Sequence, residues 1–145
     1  MTPRGADDLV AGARTRINRV EPDELERLHA GGALVVDIRP GAQRASEGEL
    51  GFGLIVERNV LEWRFDLQGS DALPEVSGYD QPVVVVCSEG YASSLAAASL
   101  RELGFTRAGD LAGGYQAWRR WREGEDEAPA EGPDAAPEPE ADSTG

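Results

Sequence analysis

Cysteine, histidine and lysine are the scarce residues of this 145-residue chain: it has one Cys, one His and 14 basic side chains, all of them arginine. A single Cys excludes a disulfide framework within the chain. With a single His it also excludes a zinc site built from several thiolates or from a Cys pair and a His pair, so no metal centre and no other cofactor is expected. The lack of lysine removes Schiff-base chemistry, the P-loop lysine and a lysine general base. Long apolar runs are missing too. The longest stretches without a polar residue, 30–36 and 50–56, fall far short of the roughly 20 residues that cross a bilayer, and no membrane association is expected. The opening MTPRGADDLV has no apolar core behind a positive start, so the expected location is the reducing cytoplasm, where a free thiol persists.

The net charge of −13 is concentrated at one end. Residues 123–145 contain 9 of the 27 acidic residues and no basic one, while the rest of the chain carries 18 acidic against 14 basic side chains. That balance offers no basic face for neutralising phosphates, and nucleic acid is not an expected partner. The 123–145 segment has four of the nine prolines and neither aromatic nor branched aliphatic residues. It is therefore expected to be a disordered, solubilising tail, with a basic protein partner as the alternative use. Residues 1–14 are expected to be a flexible lead-in, which leaves 15–122 as the single folded domain.

Within that domain the turn signals separate strand-like from helix-like runs, an α/β pattern. Residues 17–20 form a strand candidate, and Pro22 opens the helix PDELERLHA, which Gly31 and Gly32 stop. ALVVDI (33–38) is apolar throughout most of its length, as a central parallel strand covered on both faces must be. Residues 54–60 are expected as a further strand. QPVVVVC (81–87) carries the strongest strand pattern, SSLAAASLREL (93–103) is a helix ended by Gly104, 106–111 is a last strand, and Gly113-Gly114 turn into the closing helix YQAWRRW.

Cys87 lies where the VVVV strand ends and a helix begins, and in open α/β sheets ligands bind outside the carboxyl ends of the strands. Ser88, Glu89, Gly90, Tyr91, Ala92 and Ser93 follow it, a loop with no cationic side chain. Gly90 permits the positive φ at which successive backbone N–H groups converge on one atom. The helix N-terminus adds a partial positive charge, and together these favour the nucleophilic anionic form of a sulfur. A lone Cys at such a place otherwise serves as a small buried hydrophobe.

Five ordered stretches, VEPDEL, ALVVDIR, RNV, VVVVCSEGYAS and LAGGYQAW, make the chain similar to the rhodanese family over about residues 20–121. CSEGYAS resembles the family's Cys-x-x-Gly-x-Arg-Ser cradle, and LAGGYQAW its Leu-x-Gly-Gly-aromatic-x-x-Trp block. The resemblance implies a rhodanese-like α/β fold, with a central, mostly parallel sheet and helices on both faces. It also implies sulfur transfer: Cys87 takes the outer sulfur of a small anionic donor such as thiosulfate, holds it as a persulfide, and passes it to cyanide or a thiol. Two departures stand out. Ala92 occupies the place of the family's loop Arg, and Gly48-Glu49-Leu50 replaces its Gly-His-Ile segment.

The family's Asp-x-Arg unit maps to Asp37 and Arg39, where a carboxylate near the strand end is expected to fix neighbouring loops. Arg58 and Arg64 are rim candidates for pairing with an anionic donor, beside a Trp63 that is either packed or part of the rim. His29 is expected on the solvent side of its helix, and Trp118 and Trp121 as core anchors. Two other functions compete with sulfur transfer. One is a non-catalytic binding or sensing module on the same scaffold. The other is a cysteine phosphatase or arsenate reductase, which needs an Arg closing the loop where Ser93 and Ser94 stand.

Overall fold

In the computed structural model, which describes residues 2–124, the elements run α1 (Ala6–Arg14), β1 (Asn18–Val20), α2 (Leu25–Ala30), β2 (Leu34–Asp37), α3 (Gly41–Glu47), β3 (Leu54–Ile55), α4 (Leu61–Phe65), β4 (Val83–Val86), α5 (Ala92–Leu103), β5 (Ala108–Leu111) and α6 (Gly114–Arg122). Single 3-10 turns at Pro22–Glu24 and Arg58–Val60 lead into α2 and α4. The five strands form one parallel sheet in the order β1-β5-β4-β2-β3. Its centre is the valine strand β4, flanked by β2 and β5 and buried at every position.

The strand period of two sorts those valines into two cores. Val83, Val85 and then Cys87 face one side with Leu61, Phe65, Ala96, Leu100 and Phe105, whereas Val84 and Val86 face the other with Leu25, Leu111, Tyr115 and Trp118. Helices α4 and α5 thus cover one face, and α2 and α6 the other. Cys87 projects on the α5 side at the carboxyl end of the sheet.

Three features differ from the sequence expectation. The 1–14 segment is not a loose lead-in: Ala6–Arg14 is a helix packed on α5, with Val10 and Ala13 buried. Its start is set by Asp8, whose carboxylate accepts the Gly5 N–H at 3.0 Å, and the face it docks carries two buried residues, Val10 and Ala13. The expected strand 54–60 is paired only over Leu54–Ile55; after Val56 the chain leaves the sheet edge and coils into the 3-10 turn and α4. Helix α3, opened by Pro40, was not anticipated. The acidic tail expected over 123–145 lies outside the described residues beyond Gly124.

Phe105 anchors the α4–α5 side: it is fully buried, edge-on to Phe65 at 5.6 Å and tilted on Tyr79 at 5.1 Å. Phe105→Ala should therefore cost about 3–5 kcal/mol through lost burial and the cavity left behind. Urea unfolding checks it: the midpoint should fall with an unchanged m value.

Candidate active site

The loop after β4 owes its shape to two glycine turns that touch. Gly90 has φ +88°, and a Cβ there would lie 2.8 Å from the Gly113 nitrogen. On the other side, Gly113 and Gly114 have φ +74° and +65°, and a Cβ on Gly114 would sit 2.6 Å from the carbonyl oxygens of Cys87 and Ser88. Because no side chain intervenes, the first amides of α6 reach the loop: Tyr115 N–H donates to the Cys87 carbonyl at 2.8 Å and Gln116 N–H to that of Ser88 at 3.0 Å. These bonds satisfy helix-end donors and hold the loop from below.

Inside the curl, Cys87 Sγ accepts the Gly90 N–H at 3.2 Å and the Ser93 N–H at 3.3 Å. Ser93 lies in the first turn of α5, so its amide is one that the helix itself cannot satisfy. Of the six residues expected to form the cradle, these two bond the sulfur; the amides of Ser88, Glu89, Tyr91 and Ala92 make no such bond among the described residues. Cys87 is only 7% exposed, yet it lines two adjoining clefts. One, of about 340 Å³, has Ile38, Pro40, Gln43, Arg58 and Ala92 around it. The other, of about 380 Å³, is bordered by Glu47, Ser88, Glu89, Tyr91 and Gln116.

Asp37 and Arg39 lie buried beside this arrangement. Arg39 is 1% exposed and grips Asp37 with both Nε and Nη2, the latter at 2.7 Å, while its own backbone N–H donates to Asp37 Oδ1 at 3.1 Å. Its Nη1 bonds Glu47 Oε1 at 3.1 Å, and Glu47 Oε2 accepts the Ser88 hydroxyl at 2.9 Å. The Tyr115 ring lies 4.1 Å below the guanidinium. Burial works against the Arg39 charge, but the hydrogen bonds and charges of Asp37 and Glu47 outweigh it and hold the guanidinium above its ordinary range.

Arg58 reaches the cleft and is tied to Glu62 at 3.0 Å. Arg64 does not: its Nη1 donates to the Asp71 carbonyl at 2.8 Å, away from Cys87, because α4 turns that side chain toward the following loop. Trp63 is not packed but 62% exposed. His29 is half-buried rather than free in solvent, its ring 4.8 Å from that of Phe52.

Several residues that sequence reasoning passed over come together behind the loop. Asp110, fully buried at the carboxyl end of β5, accepts the hydroxyls of Ser93 and Ser94, both at 2.8 Å, and pairs with Arg19 at 3.0 Å. Arg14 and Arg19 both donate to the Gly90 carbonyl, at 2.7 and 2.9 Å. Asp110 shares with Asp37 a position at the end of a predicted strand, which was the one available signal. Arg14 and Arg19 are more than 70 residues from Gly90 in sequence and had none.

The family model described as "Rhodanese-like domain" matches residues 21–120. The chain belongs to the rhodanese-like family. It is 30% identical over 105 residues to "Thiosulfate sulfurtransferase GlpE" of Pseudomonas fluorescens (strain SBW25), a match covering 72% of this chain and 87% of that one. Among solved structures, a rhodanese homologue from the extremely thermophilic bacterium Thermus thermophilus is 31% identical, with a TM-score of 0.51, over 70% of this chain and all of its own length. A protein of unknown function from Rhodopseudomonas palustris CGA009, described as "Possible Tyrosine Phosphatase", superimposes with a TM-score of 0.76 at 26% identity, over 84% of this chain and 94% of its own.

The Asp37–Arg39 pair of this rhodanese-like domain makes a clear stability prediction. Arg39→Ala leaves the Asp37 carboxylate buried without its cation and should cost about 3–5 kcal/mol, whereas Arg39→Lys, which keeps the charge but not the two-pronged grip, should cost less. Equilibrium urea unfolding of the two variants beside the parent protein measures both.

Proposed function

We propose that the protein is a sulfurtransferase whose nucleophile is Cys87. The observation that carries this is the sulfur of the chain's only cysteine accepting two backbone N–H bonds at the mouth of a cleft. Both amides are aimed at the position where negative charge develops during sulfur transfer, which is where fixed donors contribute most to such a reaction.

The reaction balances without a cofactor. The Cys87 thiolate attacks the outer sulfur of thiosulfate, a sulfur–sulfur bond forms, and the bond to sulfite breaks so that sulfite leaves with the electron pair. The Cys87 persulfide then carries its negative charge on the outer sulfur, beside the amide cradle. Cyanide or a thiolate attacks that outer sulfur, and the Cys87 thiolate departs as the leaving group.

A phosphatase reading draws on the description of the Rhodopseudomonas palustris neighbour. It requires a guanidinium facing the cleft from the loop, and the sixth residue after Cys87 is Ser93, whose hydroxyl is turned back to Asp110. Hydrolysis of an aryl phosphate abolished in Cys87→Ser would favour that activity.

Intact mass measurement tests the proposal directly. Incubation with thiosulfate or mercaptopyruvate should add one sulfur atom to the chain, cyanide should remove it, and the folded Cys87→Ser variant should gain none. A chain that remains unmodified while Cys87 still alkylates would favour a binding or sensing module.

The charges around the cleft bear on how an anionic donor would be received. Exposed Glu89 and Glu57 border the space in front of Cys87, while Arg58 is already engaged by Glu62. A charge about 5 Å from a small dianion contributes on the order of a kcal/mol at a site mouth. Glu89→Gln should therefore lower the KM for thiosulfate several-fold at low salt, and the gain should fade as salt rises. Arg58→Ala should raise KM, and Arg64→Ala should leave it unchanged; steady-state kinetics at two ionic strengths would show all three.

A further inference from the structure

We propose that Arg14, together with Arg19 and Asp110, clamps the Cys87 loop from behind, and that helix α1 is thereby part of the active site. The clamp rests on the reading above, in which Cys87 is the reacting atom. Helix α1, Arg14 and Arg19 all lie outside the family match, which begins at residue 21 and takes in only Asp110 of the three clamp residues.

Glycine tolerates many backbone conformations, so nothing in Gly90 itself keeps its amide aimed at the sulfur. If its carbonyl swung toward Cys87, the negative end of a peptide dipole would face an anionic sulfur. Arg14 Nη2 at 2.7 Å and Arg19 Nη2 at 2.9 Å draw that carbonyl to the rear. The second cradle amide is held by the same cluster: the Ser93 hydroxyl is bound to Asp110 at 2.8 Å, and Asp110 in turn orients Arg19 through contacts of 3.0 and 3.2 Å. Arg14 joins the cluster a second time, with Nε donating to Ser94 Oγ at 3.0 Å, and Ser94 Oγ donates to Asp110. Gly90 and Ser93, the two residues whose amides bond Cys87, are thus both tied to this cluster, Gly90 through its carbonyl and Ser93 through its hydroxyl, each one Cα away from its own N–H.

The two arginines differ in charge balance. Arg19 is neutralised by Asp110. Arg14 has no carboxylate within ion-pair distance among the described residues; its guanidinium lies 5.5 Å from the centre of the Tyr91 ring. Since the loop from Cys87 to Ser93 has no cation of its own, Arg14 is the uncompensated positive charge bonded to it. Helix α1 delivers that charge, docked on α5 by Val10 and Ala13. Arg14 is a positioning residue: it acts on Cys87 through Gly90.

The test uses the full chain and no sulfur donor. The rate of Cys87 alkylation by iodoacetamide at neutral pH and the melting temperature are measured for Arg14→Ala, Arg14→Gln and Arg14→Lys. Arg16→Ala, which removes a surface pair to Glu102 at 3.6 Å, serves as the neighbouring control. Losing a charged donor to the loop should slow alkylation about five- to tenfold in the Ala and Gln variants. Lys should recover most of the rate, and Arg16→Ala should match the parent. The clamp is overturned if Arg14→Ala alkylates at the parental rate, if Gln recovers as much as Lys, or if Arg16→Ala slows the reaction equally. Should the Ala variant fail to fold, the contrast between Gln and Lys still decides. A parent protein that takes no sulfur from any donor, with the Arg14 variants slowed as expected, would reject sulfur transfer and leave the clamp standing.

Discussion

Close approach between two glycine turns is the constraint on which the site depends. The Gly90 curl and the Gly113-Gly114 turn touch at distances that exclude a Cβ on Gly90 or Gly114, and only then do the Tyr115 and Gln116 amides reach the carbonyls of Cys87 and Ser88. Two helix N-termini consequently meet at one loop. Helix α6 takes up the loop's carbonyls from beneath, and α5 contributes the Ser93 amide to the sulfur. Each helix end has donors it cannot satisfy internally, and the loop is the acceptor for both.

Around that loop the charges form two buried clusters with different tasks. In front, Asp37, Arg39, Glu47 and the Ser88 hydroxyl form a chain of bonds from the end of β2 to the first residue after Cys87. Behind, Asp110 gathers Ser93, Ser94 and Arg19 at the end of β5. Burying ions costs free energy that their attraction recovers only when the remaining lone pairs are bonded. Both buried carboxylates meet that condition with several donors each. The cost is confined to the carboxyl edge of the sheet, where the backbone must be held in one conformation against the freedom of its glycines.

The cleft itself is lined on one side by the apolar or small Ile38, Pro40 and Ala92, and on the other by Glu47, Glu89 and Gln116. The guanidinium that borders it, that of Arg58, is shared with Glu62. Such a mouth gives little electrostatic attraction to a small dianion.

What was legible in the sequence is what depends on neighbours along the chain. The valine run, the Pro22 start, the Gly104 stop and the spacing of Cys87 from Gly90 each act over a few residues, and each took its place in the sheet, at a helix end or in the loop. Asp37 and Arg39 were named as a unit through the family resemblance rather than through a local rule. Local pattern failed where the outcome rests on a remote surface. Residues 54–60 have a strand's composition but pair over two residues because the chain reaches the sheet edge there. Residues 6–14 form a short helix that docks on α5 through Val10 and Ala13, a surface the local sequence does not contain. Sequence by itself determined the α/β scheme and put the only thiol at a strand end, because strand period and turn chemistry are local properties. Tertiary structure alone decided that Arg14 and Arg19 would meet at the carbonyl of Gly90. No local rule links side chains so far apart, and they meet only when the sheet order sets β1 beside β5 and α1 against α5.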